Sequence, residues 1–114
     1  ALVYEISAQG RPEDVKNMLN TVLSGNFEEG RKQLFTLIFT QGISGEDIIK
    51  NIHKELFGLP IEEKGKLELL EKLGDYEYRM NQGGSPEIQL LALLAQFLKW
   101  KNNRVAFLFE KKFQ

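Results

Sequence analysis

Apolar side chains recur at helical spacing through most of this chain, and turn residues cut the recurrence into five segments. Val15, Met18, Leu19, Val22 and Leu23 fall at i, i+3, i+4, i+7 and i+8 behind Pro12, a residue suited to the first helical position. Glu13 and Asp14 sit where a helix's positive end favours acid, and Ser24-Gly25-Asn26 ends the segment. A second helix is expected from Phe27 to about Thr40. Leu34, Phe35, Leu37 and Ile38 are its apolar side and Glu28, Glu29, Arg31, Lys32 and Gln33 its wet side, with Gln41-Gly42 as its stop. Ser44 is a good N-cap for a third helix, whose buried stripe is Ile48, Ile49, Ile52 and Leu56, before Phe57-Gly58-Leu59-Pro60 closes it. A fourth runs from Ile61 or Glu62 to about Asn81, carrying Leu67, Leu69, Leu70, Leu73, Tyr76 and Met80. Gly65 and Gly74 weaken it by roughly 1 kcal/mol each relative to alanine, and a glycine kept mid-helix often marks a close neighbour.

After Gly83-Gly84, Ser85 caps and Pro86 opens a fifth helix, expected to end near Lys101-Asn102-Asn103. It is apolar nearly all round, through Ile88, Leu90, Leu91, Leu93, Leu94, Phe97 and Leu98. Such a helix must be covered on more than one side, either at the centre of a bundle or by another subunit. Gln89 and Gln96, seven apart, share one face. A buried amide without a partner costs on the order of 1–3 kcal/mol, so they require water, solvent or an interface. The first seven residues read as extended, and the stretch from Arg104 onward has no clear period. No strand alternation competes over residues 12–101. The fold class is therefore all-α, a single five-helix bundle with short connections.

Composition narrows the chemistry. With 114 residues there is material for one domain with a real core. The absence of cysteine excludes disulfides, a thiol nucleophile and thiolate metal sites. No apolar run is long enough to span a bilayer, so a soluble chain is expected. The net charge of −1 conceals a split: residues 99–114 hold Lys99, Lys101, Arg104, Lys111 and Lys112 against Glu110, a net +4, which leaves −5 on the rest. The chain opens on Ala1-Leu2-Val3 rather than methionine, as a segment cut from a longer polypeptide would. His53 is the only histidine and has no second ligand to join it. There is no phosphate loop and no nucleophile elbow. The carboxylate pairs Glu28-Glu29, Glu62-Glu63 and Glu68/Glu71 lie on helices whose solvated faces account for them. Gly83-Gly84 reads as a turn between helices rather than an anion cradle. No catalytic, cofactor-binding or metal-binding residue is expected.

Several stretches, taken in order, resemble a known family. They are Val3-Tyr4-Glu5-Ile6-Ser7, Arg11-Pro12-Glu13-Asp14-Val15, Gly25-Asn26-Phe27, Gln41 to Asp47, His53 to Ile61, and Gly74-x-Tyr76-x-x-Arg79 followed by Ile88 to Phe97. Together they resemble the C-terminal domain of replication factor C small subunits, the clamp-loader ATPases, with an archaeal flavour. The resemblance covers about residues 3–98. It implies an oligomerisation domain, packed against its counterparts as the collar of a pentamer of AAA+ subunits that loads the sliding clamp on primer–template DNA. ATP and Mg would belong to preceding domains and not to this chain. The partners implied are the other clamp-loader subunits, and through the missing domains the clamp and DNA, with no membrane; the location implied is the cytoplasm, or the nucleus in a eukaryote. On this reading residues 1–11 are the remnant of a linker, 12–101 the collar domain and 102–114 a basic tail. The expected subunit interface comprises Tyr76, Arg79, Ile88, Gln89, Leu90, Leu93, Gln96 and Phe97.

Two departures from the family stand out. The turn reads Gln82-Gly83-Gly84-Ser85-Pro86, and nothing aligns after Trp100. In the tail, Asn102 with Val105, Leu108 and Phe109 is a degenerate echo of a clamp-docking peptide. Two alternatives remain open from the residues themselves. One is a helical-repeat interaction module, since Pro12 and Gly45 stand 33 apart. The other is a small helical DNA-binding domain, for which the basic tail is the warrant.

Overall fold

A computed structural model describes residues 12–101. It is a bundle of α1 (Pro12–Leu23), α2 (Phe27–Phe35) continued by a π-turn (Thr36–Thr40), α3 (Gly45–Leu56), α4 (Glu63–Asn81) and α5 (Pro86–Leu98). Among the described residues there is no strand, as the single apolar period implies.

The ends of the helices follow from local chemistry. At the close of α1 the Asn26 N–H reaches the Thr21 carbonyl at 3.2 Å and the Gly25 N–H reaches Val22 at 2.9 Å. Gly25 holds φ +101°, the left-handed cap that glycine accepts at least cost. Asn26 then turns from closing α1 to opening α2: its Oδ1 accepts the Glu29 N–H at 3.1 Å. Ser44 opens α3 in the same way, its Oγ accepting the Asp47 N–H at 3.1 Å. Ser85 differs from expectation. Its hydroxyl donates to the Glu87 carboxylate at 2.9 Å and makes no cap bond to the backbone, and because Pro86 brings no N–H, one of the orphan donors is absent in any case.

The tail of the second helix also departs from expectation. The helix reaches Thr40 as expected, yet its last turn widens to i→i+5 bonding, with the Gln41 N–H on the Thr36 carbonyl at 2.9 Å. Two features accompany the widening. The Thr36 hydroxyl donates back to the Lys32 carbonyl at 3.1 Å, a bond that bends helices. Beyond the turn, the Ile43 N–H reaches Leu37 O at 3.0 Å while the Ile43 side chain enters the core. The extra residue in the turn places Ile43 inside and leaves Phe39 63% exposed.

The helix α5 touches all four others. α2 packs on α1 and α5, and α4 packs on α3 and α5, with no main contact between α2 and α4. The core runs through Met18, Leu19, Leu34, Ile48, Ile52, Leu56, Leu69, Leu90, Leu93, Leu94 and Phe97, all essentially sealed from solvent. Two glycines allow close packing. A Cβ on Gly30 would stand 2.4 Å from Val22 Cγ2, and one on Gly65 would stand 2.6 Å from Ile61 Cγ2 and 2.8 Å from Trp100 Cε3. Gly74, in contrast, has nothing within 4 Å of that position. Leu67, expected among the buried side chains of α4, is 55% exposed, because it lies on the helix face turned away from Leu69, Leu73 and Tyr76. The helix α5 ends at Leu98, earlier than its composition implied, with the Trp100 N–H closing a tight turn on Phe97 O at 3.0 Å.

Candidate subunit interface

The corner between α4 and α5 is built by a glycine cap. The Gly84 N–H bonds Arg79 O at 2.8 Å and the Gly83 N–H bonds Met80 O at 3.1 Å, with Gly83 at φ +103°. A side chain on Gly84 would collide with the Arg79 carbonyl at 2.8 Å and press on Gln89 Cγ at 3.3 Å. The turn therefore draws the first part of α5 onto the last turn of α4. Its other side rests on α3, where Gly45 lies against Pro86 and the Met80 sulfur.

The eight residues expected at an interface divide into three groups. Leu90, Leu93 and Phe97 are fully buried within the chain's own core. That corrects the expectation for these three: they hold the bundle together and have no surface left for a neighbour. Tyr76 is 7% exposed, with the Arg79 guanidinium 5.0 Å above its ring; it supports Arg79 from beneath. Arg79 and Ile88 stand in solvent, Ile88 at 66% exposure. Gln89 and Gln96 are half-buried and both border α4, but at opposite ends of α5. Gln89 lies at the corner and its Oε1 is buried with no hydrogen-bond partner. Gln96 lines a cleft of about 240 Å³ with Glu68, Lys72, Lys99 and Trp100. The structure thus sets Arg79, Ile88 and Gln89 about the α4–α5 corner and Gln96 apart from them. Val105, Leu108 and Phe109 lie outside the described residues.

The electrostatics are those of a surface. The Glu28 carboxyl is held below its ordinary range chiefly by hydrogen bonding to Arg31. Glu87 is lowered first by its own backbone N–H and then by the Ser85 hydroxyl. His53 is exposed and meets the Phe57 ring edge-on at 6.0 Å. Among the described residues no three His, Asp or Glu side chains gather as metal ligands, and no helix is long and apolar enough to cross a membrane.

Comparison with known proteins gives the family. The sequence profile of the replication factor C C-terminal domain matches residues 10–96. The chain is 45% identical over 95 residues to the replication factor C small subunit of Pyrococcus furiosus, covering 83% of this chain and 11% of that one. It is 40% identical over 103 residues to that of Methanothermobacter thermautotrophicus, covering 85% and 32% respectively. A further 40% over 93 residues links it to that of Archaeoglobus fulgidus, covering 82% and 29%. The chain belongs to the replication factor C C-terminal domain family. It spans about a tenth to a third of the length of these relatives.

Proposed function

We propose that this chain is the oligomerisation, or collar, domain of a DNA clamp-loader subunit, holding a pentamer of AAA+ subunits together while other domains do the chemistry. Catalysis has no place in it. ATP and Mg would be held by ATPase domains preceding it in the subunit, and the sliding clamp and primer–template DNA would be engaged through those domains.

The observation that carries the reading is the α4–α5 corner. Ile88 stands 66% exposed at the start of α5, and beside it the Gln89 amide oxygen is desolvated without a partner. An unsatisfied acceptor of that kind costs on the order of 1–3 kcal/mol, which a donor from a neighbouring subunit, or a bridging water in the contact, would offset. Arg79, braced on Tyr76, supplies a cation of the sort enriched at protein interfaces. The family match supports the reading in that the relatives are named as subunits.

Size-exclusion chromatography with light scattering over a concentration series is the test. A mass that rises with concentration is expected, and joining the chain to its ATPase domains should raise it further by adding neighbours to each contact. A strict monomer that also fails to join other subunits in the longer form contradicts the proposal.

A further inference from the structure

Two of the exposed large apolar side chains, Phe57 at 49% and Leu67 at 55%, belong to one surface. The Lys66 ammonium donates to the Phe57 carbonyl at 2.8 Å, which fixes the end of α3 beside the first turns of α4. Further along the same two helices lies a groove of about 260 Å³, with Ile49, His53, Leu70 and Leu73 in its walls and Glu77 toward the later turns of α4. Leu67 stands one turn before Leu70, and Phe57 one turn after His53, whose ring it meets edge-on at 6.0 Å. The two exposed side chains thus carry the apolar lining out to the surface. A groove of this kind between two helices suits an amphipathic segment.

The chain contains a segment of matching chemistry. Residues 102–114 lie outside the described residues, and their sequence reads Asn102-Asn103-Arg104-Val105-Ala106-Phe107-Leu108-Phe109-Glu110-Lys111-Lys112-Phe113-Gln114. Phe107 breaks a clean period, but Val105, Leu108, Phe109 and Phe113 stand at i, i+3, i+4 and i+8, the spacing of anchors on one helix face. Arg104, Lys111 and Lys112 against Glu110 give the segment a net charge of +2. Residues 12–101 hold 11 Lys/Arg and 14 Asp/Glu, a net −3. Glu71, Asp75 and Glu77 follow one another along the later half of α4, and Lys50 in the facing wall is paired with Glu46 at 3.3 Å.

The segment also starts at the right end. Trp100 packs on the Gly65 backbone, where a Cβ would stand 2.8 Å from its ring, so the chain leaves the bundle beside the first turn of α4. That is the end marked by Phe57 and Leu67. Four residue steps from Lys101 to Val105 reach about 13 Å, enough to cross a helix about 10–12 Å wide.

We propose that residues 105–113 close the α3–α4 groove of their own chain, with Val105, Leu108 and Phe109 against Phe57, Leu67 and Leu70, and with Lys111 and Lys112 beside Glu71 and Glu77. The lengths agree: eight helical steps from Val105 to Phe113 cover about 12 Å, and ten from Leu67 to Glu77 cover about 15 Å. The contact is made by one chain on itself, on the α3 side of α4, and is independent of the α4–α5 corner. Any other amphipathic segment reaches this groove only by displacing the one tethered to it.

NMR of the full chain tests the proposal, because each side of the contact can be changed without touching the core. Leu108→Asp with Phe109→Asp alters the segment, and Leu67→Asp alters an exposed position of the groove; circular dichroism checks that both variants stay folded. With an effective concentration in the millimolar range and an affinity of about 0.1 mM, roughly nine-tenths of the segment is docked and its amide exchange slows by about tenfold. That protection over residues 105–113 should be lost in either variant. The segment variant should also shift the signals of Ile49, Leu70 and Leu73 and leave those of Leu37 and Ile38 in place. Tenfold dilution should change neither readout, since the occupant is tethered. Unprotected amides in the unmodified chain overturn the proposal, as do shifts that gather at Gln96 and Trp100 in place of the groove. Protection that disappears on dilution also overturns it, because the segment then seats on a second molecule.

Discussion

Helix α4 contains its own controlled comparison, because Gly65 and Gly74 are nine residues apart in one helix and differ only in what surrounds them. Replacing a helix-interior glycine by alanine gains up to about 1 kcal/mol from backbone propensity. At Gly74 the new methyl meets nothing within 4 Å, so Gly74→Ala should stabilise the isolated chain by roughly 0.5–1 kcal/mol. At Gly65 the same methyl would lie 2.6 Å from Ile61 Cγ2 and 2.8 and 2.9 Å from Trp100 Cε3 and Cδ2. Both neighbours are body atoms of packed side chains, not flexible ends, and overpacking of this kind costs about 1–3 kcal/mol. Gly65→Ala should therefore be neutral to destabilising by about 2 kcal/mol, a separation between the variants of about 1–3 kcal/mol. Urea denaturation followed by circular dichroism gives both values, and the fluorescence of Trp100 reports the Gly65 site directly. Equal stability of the two variants would falsify the packing described for the α4–α5 contact.

Other expectations can be checked on the same chain. Asn26→Ala and Ser44→Ala each remove an oxygen that accepts a helix N–H and should cost about 1 kcal/mol in urea titration. Ser85→Ala, which removes no cap bond, should cost clearly less; an equal loss at all three positions would contradict the cap assignments. Phe97→Ala, at the sealed centre, should cost about 3–5 kcal/mol, whereas Ile88→Ala should leave monomer stability within about 0.5 kcal/mol, as for an exposed site. Acidification has a stated sign as well. Glu28 and Glu87 titrate below the ordinary carboxylate range, so their contribution is present above that range and is lost as pH falls through the lowered values. Arg31→Ala should reduce the acid dependence of the unfolding midpoint; an unchanged pH profile would show that the Glu28 pair contributes nothing.

Much of this was legible in the sequence where a residue's role was set by its immediate neighbours. The period of Val15 to Leu23 gave the buried side of α1 residue for residue, and Ser44 was an evident cap because an acceptor one turn before a free N–H needs no tertiary context. The all-α class and the family both followed from such signals. What could not be read depended on distant parts of the chain. Leu67 looked buried by composition, yet the face it shares with Gly74 is turned outward, because Leu69 and Leu73 on the other side of the helix enter the core. The π-turn arose where Ile43 was drawn into the core. Gly65 earned its glycine from Trp100, thirty-five positions away, while Gly74 had no such reason within the chain. At the candidate interface the apolar breadth of α5 implies cover on more than one side, by the bundle or by another subunit. Four surrounding helices account for most of it, which leaves Ile88 as the part that a neighbour would have to cover. Gly30 and the buried Asn51 were missed altogether; the first had a signal, a glycine inside the run Glu28 to Lys32, that a search for close helix pairs would have found.

The central claim is that the α4–α5 corner joins this chain to others, and sedimentation equilibrium of the unmodified chain against Ile88→Asp measures it most directly. Burying an isoleucine is worth about 1.5–3 kcal/mol, about ten- to a hundredfold in an association constant, and a buried carboxylate would weaken the contact further. The account predicts an unmodified chain whose mass rises with concentration and a variant that stays monomeric over the same range with an unchanged unfolding midpoint. Identical masses for the two at every concentration would contradict it.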